Sequence, residues 1–144
     1  MRPTNCYGPG DKIGPDSMVV TGLIGRIMAG EDPLVVWGDG TAVRDFAFSR
    51  DVAEGIVMAG YYGTGNANGG FVNLGTGVPF TVKEPVETLQ KIKPFEYKFD
   101  PSKPSGVARR VMDTKQAEKI IHWKASTPLL EGLKETWNWY ANAK

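Results

Sequence analysis

A mixed α/β fold is predicted by three features of the sequence. Five stretches carry apolar residues at helical spacing, short apolar runs lie between them, and glycine or proline marks nearly every junction. At 144 residues, with 41% apolar and 23% charged side chains, the chain has the size and composition of one globular domain, residues 1–144.

The opening "MRPTNCYGPGD", residues 1–11, brings Pro3, Gly8, Pro9 and Gly10 into ten positions and reads as turn-rich. Met18, Val19, Val20, Leu23, Ile24, Ile27 and Met28 then recur as one helical face, with Arg26 off it, until Gly30 and Pro33 stop the pattern. "LVVW" at 34–37 is a strand, "GDGT" a tight turn with positive φ at Asp39-Gly40, and "AVRDFAF" at 42–48 the returning strand of a hairpin. A helix near Asp51, capped by that carboxylate with Glu54 reaching back, is expected to bury Val52, Ala53, Ile56 and Val57.

"YYGTGNANGG" at 61–70 is loop by composition, and "FVNLG" at 71–75 is a buried strand. Thr81 and Glu84 form a capping box for a helix whose stripe is Val82, Val86, Leu89 and Ile92, with Pro85 in its first turn. "YKFD" at 97–100 is a strand and "PSKPSGVARR" at 101–110 an irregular loop. Asp113 with Gln116 caps a short helix through Ile121. Thr127-Pro128 opens the last one, with Leu130, Leu133, Trp137 and Tyr140 on one side.

Seventeen basic and sixteen acidic residues leave a net charge of +1, so no global field favours nucleic acid or an anionic membrane. A single cysteine, Cys6, and a single histidine, His122, exclude a disulfide framework and a Cys/His zinc site and suggest a reducing compartment. No apolar run approaches the roughly 20 residues of a membrane span, and a cytoplasmic location is expected.

Several catalytic patterns are missing or weak. There is no G-x-G-x-x-G, and the nearest approach, "GYYGTGN" at 60–66, leads into more loop and reads as surface. The Tyr-x-x-x-Lys spacing of Tyr140 and Lys144 falls at the end of the last helix and reads as coincidence, and His122 reads as packing or surface. The positive signal is a set of arginines in or beside turns: Arg26, Arg44, Arg109 and Arg110, accompanied by Asn5, Trp37 and Asp45. A guanidinium offers a planar fork of donors matched to phosphate oxygens, and three together can hold a diphosphate.

"RPTNCYGPGD", "VVWGDGTAVRDFAFSRDVAEGIVMA", "VNLGTG", "FDPSKPSGVARRVMD" and "STPLLEGLKETWNWY" resemble, in order and spacing, the C-terminal half of extended short-chain dehydrogenases/reductases of the NAD-dependent epimerase/dehydratase family, the GDP-L-fucose synthases above all. The resemblance implies late strands and helices of a Rossmann-like sheet plus a small α/β substrate-binding lobe. It also implies that the glycine loop for NAD or NADP, the catalytic Ser/Thr and the Tyr-x-x-x-Lys pair belong to an N-terminal half absent from this sequence.

By the same resemblance, Pro3, Thr4, Asn5 and Cys6 lie beside the nicotinamide end of the cofactor, with Asn5 also near substrate. Arg26, Trp37 and Arg44 contact the nucleotide and its diphosphate, and Ser105 and Arg109 sit on a loop closing over the nucleotide. Two departures are Met18, where the synthases place an acid/base histidine, and Ser105, where they read K-P-D-G. The implied function is the binding of a GDP- or UDP-linked sugar for NAD(P)-dependent epimerisation or reduction, without catalysis by this chain alone. The alternatives are a subunit completing a separate NAD(P)-binding chain, or a remnant that self-associates as a homo-oligomer.

Overall fold

The computed structural model describes residues 1–14, 16–62 and 70–143, which leaves most of the expected 61–70 loop, and Lys144, outside the described residues. The opening segment, expected to be turn-rich, supplies the axis of the fold. Strand β1 (Arg2–Pro3) pairs in parallel with β6 (Asn73–Leu74), and β2 (Asn5–Tyr7) pairs in parallel with β5 (Phe46–Phe48). Parallel pairing needs crossovers, and α1 (Val19–Met28) and α2 (Ser49–Tyr62) lie on them. The fold is therefore α/β, as the alternation of periods predicts.

The expected hairpin does not form. Strand β3 (Leu34–Trp37) pairs in parallel with β8 (Tyr97–Asp100), where Leu34 and Val36 become buried. In the "GDGT" turn the positive φ angles fall at Gly38 and Gly40, separated by Asp39, whose carboxylate accepts the Thr41 N–H and hydroxyl. The type I′ turn expected at Asp39-Gly40 needs positive φ at both residues, and Asp39 does not have it. The chain accordingly leaves in a new direction, and the expected returning strand is split. Its first part, β4 (Val43–Arg44), lies between antiparallel β7 (Phe80–Thr81) and parallel β9 (Arg109–Arg110), which also gives the end of the 101–110 loop regular structure. Its second part is β5.

Helix α2 starts at Ser49, two residues before Asp51, and faces the protein differently from expectation. Only Val52 of the four expected core positions is buried; Ala53, Ile56 and Val57 are exposed, and Gly55 faces inward instead. A β-carbon at position 55 would lie 2.8 Å from Leu74 and 2.9 Å from Trp123, so the helix seats its smallest residue against the sheet. Asp51 does not cap this helix. Its carboxylate accepts the Ser126 and Thr127 N–H groups and the Thr127 hydroxyl, and so anchors the entry to the last helix, α5 (Leu129–Asn142).

The other helices follow the sequence more closely. Glu84 accepts the Thr81 N–H at 2.6 Å ahead of α3 (Lys83–Ile92), and Asp113 accepts the Lys115 N–H ahead of α4 (Lys115–Ile121). On α5, Leu133 and Thr136 are buried, Trp137 and Tyr140 are partly so, and Leu130 stays exposed. One core gathers Tyr7, Leu23, Ile24, Leu34, Phe46, Phe48, Val86, Leu89 and Leu133; a second gathers Ala47, Val52, Leu74, Ile121 and Trp123. The sheet through β2 and β5 separates them. Among the described residues no helix is long and apolar enough to cross a membrane.

Candidate nucleotide-sugar site

Arg44 and Arg110 stand directly opposite each other on β4 and β9. Residues in register on neighbouring strands share a face of the sheet, so both guanidinium groups rise from the same side, while Val43 and Arg109 occupy the other. Like charges placed opposite one another repel, and among the described residues neither arginine is paired with a carboxylate. An anion between them would relieve that repulsion.

The two arginines are held rather than loose. Arg44 is 9% exposed and donates to the Val43 carbonyl and, at 2.8 Å, to the Ser105 carbonyl on the 101–110 loop. Arg110 donates to Asn5 Oδ1 at 3.3 Å, and Asn5 Nδ2 donates to the Asp45 carbonyl at 3.0 Å. Thr4 donates its hydroxyl to the same carbonyl. The end of the 2–7 segment is thereby joined to β4 and β9. Trp37, 58% exposed at the end of β3, presents an open aromatic face, and Gly38 next to it runs against Ser105, where a β-carbon would come within 2.7 Å of the serine side chain.

The structure therefore brings Asn5, Arg44 and Ser105 together, adds Arg110, and puts Arg109 on the strand beside them. Pro3 is exposed on β1, and Cys6 is half-buried on β2, with burial and then the Asp11 charge pushing its thiol pKa up. His122 ends α4 in a left-handed conformation (φ 53°) with its ring edge-on to Tyr62, a packing role.

Arg26 is engaged elsewhere. Its guanidinium forms a fork with Glu31 and donates to the Val35 carbonyl at 2.6 Å, while Glu31 accepts the Val35 N–H. Those Val35 groups point away from β8, along the unpaired side of β3, so the ion pair covers a strand edge. The Arg26 hydrogen bond, foremost, holds the Glu31 carboxyl below its ordinary value of 4.5. A carboxyl depressed in the folded state contributes stability above its unfolded pKa and loses it as pH falls through the folded one. Melting temperatures of wild type and Glu31→Gln are thus expected to converge as pH drops from about 6 to about 3; a gap that stays constant would assign no linkage to this pair. Arg26→Ala, which uncovers the edge, is expected to raise self-association in light scattering.

The model of the NAD dependent epimerase/dehydratase family matches residues 1–75, more than half the chain. The chain belongs to this family. Among curated relatives, the family member GDP-L-fucose synthase 1 of Arabidopsis thaliana is 33% identical over 96% of this chain and 44% of its own length, and GDP-L-fucose synthase of Escherichia coli is 32% identical over 97% and 47%. The chain thus spans about half the length of the curated relatives it matches. Among solved structures, UDP-glucose 4-epimerase of Thermotoga maritima with UDP-glucose aligns with a TM-score of 0.86 at 27% identity, covering 97% of this chain and 44% of that one. UDP-glucuronic acid 4-epimerase of Bacillus cereus, in complex with UDP-glucuronic acid and NAD, aligns with a TM-score of 0.85 at 26% identity, covering 99% and 45%.

NAD accompanies the sugar nucleotide in the Bacillus cereus structure, and the residues expected beside the nicotinamide are engaged within this chain. Both polar atoms of the Asn5 amide already have protein partners, the Thr4 hydroxyl is committed to Asp45, and the 144 residues hold no G-x-G-x-x-G to cradle a pyrophosphate. The sequence includes Arg110 in the arginine set and Asp45 among its companions, but gives neither a place in the site. The signal for Arg110 is the doublet itself: on a strand one arginine must share the face of Arg44.

Proposed function

We propose that this chain forms the nucleotide-sugar-holding part of an NAD(P)-dependent epimerase or reductase. The facing pair Arg44 and Arg110 carries this proposal: two guanidinium groups on one sheet face, unpaired with any carboxylate among the described residues, beside an exposed indole. In this reading the diphosphate lies across Arg44 and Arg110 with Ser105 at its side, Trp37 takes the base, and Asn5 marks the sugar and nicotinamide end; Arg109, on the other face of β9, stays outside the site. The GDP- and UDP-sugar activities of the relatives supply the ligand class. Hydride transfer requires groups that these 144 residues do not offer, and we assign it to a complementary NAD(P)-binding half.

Calorimetric titration with UDP, GDP and their sugars tests this. Strong binding of the diphosphate ligands and weak but measurable binding of the free nucleosides is expected; silence with all of them would remove the proposal. A second reading, a subunit that completes a separate NAD(P)-binding chain, is favoured by the exposed face of α2, where Ala53, Ile56, Val57 and Tyr61 recur at helical spacing. Co-purification with a protein carrying the glycine loop is its expected result. A self-associated chain in light scattering would instead point to a homo-oligomer.

A further inference from the structure

Asp45 lies between β4 and β5, where one strand leaves the β7–β4–β9 sheet and enters the pairing with β2. It is fully buried. Its carboxylate accepts four donors: the Thr76 N–H at 3.0 Å, the Thr76 hydroxyl at 2.6 Å, the Gly77 N–H at 3.1 Å and the Met112 N–H at 3.3 Å. Its peptide carbonyl takes the Thr4 hydroxyl and the Asn5 amide. One residue thus ties together the 2–7 segment, the turn after β6 and the stretch after β9. The neighbouring "GTG" is shaped for it: a β-carbon at Gly75 would lie 2.5 Å from Asp45 Oδ2, and the successive N–H groups of Thr76 and Gly77 form a small anion nest that the carboxylate fills.

Resting on the nucleotide-sugar reading, we infer that Asp45 is a positioning residue for the site, which holds Arg44, Arg110 and Asn5 in one register. Each of the three is joined to Asp45 directly or through a single neighbour. Arg44 precedes it in the chain, Asn5 donates to its carbonyl, and Arg110, two residues before the Met112 N–H on its carboxylate, donates to Asn5. The carboxylate touches no ligand-facing surface. Its effect is geometric, and it falls on the end of the ligand that the arginines hold.

Asp45→Asn keeps the shape but sets an amide N–H₂ against an N–H donor, so the β4–β5 switch and the 110–112 stretch shift apart. The variant is expected to lose about tenfold or more in affinity for UDP or GDP, the scale of one charge-assisted hydrogen bond, with uridine or guanosine binding unchanged. A general loss of fold would weaken both classes equally, and diphosphate affinity within twofold of wild type would overturn the inference. If Asp45→Asn does not fold, Thr76→Val, which removes only the hydroxyl donor, is measured the same way against the same two outcomes. If wild type binds no nucleotide, the nucleotide-sugar reading falls by itself, and positioning is decided by NMR of the Asn5 side-chain amide and the Arg110 guanidinium. Their resonances moving in Asp45→Asn would support it; unmoved resonances would overturn it.

Discussion

Leu133→Ala is expected to lower the free energy of unfolding by about 2–5 kcal/mol, the range for emptying a well-packed leucine site. Leu133 is fully buried on the inward face of α5, in the cluster that also holds Tyr7, Phe48, Val86 and Leu89. These neighbours come from two strands and a second helix, so no single element can move in to fill the gap. Denaturant titration of wild type and variant gives the number. A change below about 1 kcal/mol would mean that α5 repacks freely, contrary to the close packing of protein interiors. Leu130→Ala, three residues away on the exposed side, is expected to change stability by no more than about 0.5 kcal/mol.

Arg44→Lys is expected to weaken the binding of UDP or GDP by about 10- to 100-fold, and Arg44→Ala by at least as much, because hydrogen bonds to charged groups are worth about 1.5–3 kcal/mol. Lysine keeps the charge but not the fork, and it cannot at once hold the Val43 and Ser105 carbonyls and meet a phosphate. Arg26→Lys, whose guanidinium is committed to Glu31 and Val35, is the matched control and is expected to bind normally. Equal losses in both variants, read by calorimetry, would mean that overall charge and not the Arg44 geometry attracts the ligand.

Local rules carried the sequence a long way where one element decides its own shape. The helix over 19–28 declares itself by period, the Glu84-to-Thr81 and Asp113-to-Lys115 hydrogen bonds at the helix starts by spacing, though the N-caps are Val82 and Thr114, and "YKFD" by its apolar alternation. They fail where a distant segment decides. Whether 34–37 folds back on 42–48 depends on residues 97–100, more than 50 positions away, which take all four of its residues in a parallel pairing. Whether Asp51 caps its own helix depends on the free N–H groups of Ser126 and Thr127, which no periodicity reveals.

The site divides in the same way. Arg44 donates to the Ser105 carbonyl, Asn5 donates to the carbonyl of Asp45 next to Arg44, and the indole of Trp37 is exposed. Arg26 looks equally available in the sequence because nothing local announces that Glu31 and the Val35 backbone will take its guanidinium. Where Arg110 and Asp45 sit is legible only once the strands are in register. A doublet of arginines does not say which member faces inward, and the role of a buried aspartate lies in donors 31 and 67 residues away.

The open side of β1 has a consequence for which strands this chain accepts as neighbours. Arg2 and Thr4 give their N–H groups to the Val72 and Leu74 carbonyls, so the side facing away from β6 belongs to residue 3, a proline with a carbonyl and no N–H. Two copies meeting there antiparallel, Pro3 against Pro3, would bring two acceptors together without a donor between them. A foreign strand with an N–H at that position meets a ready acceptor. One imino acid thus disfavours the symmetric pairing of β1 with its own copy at this position.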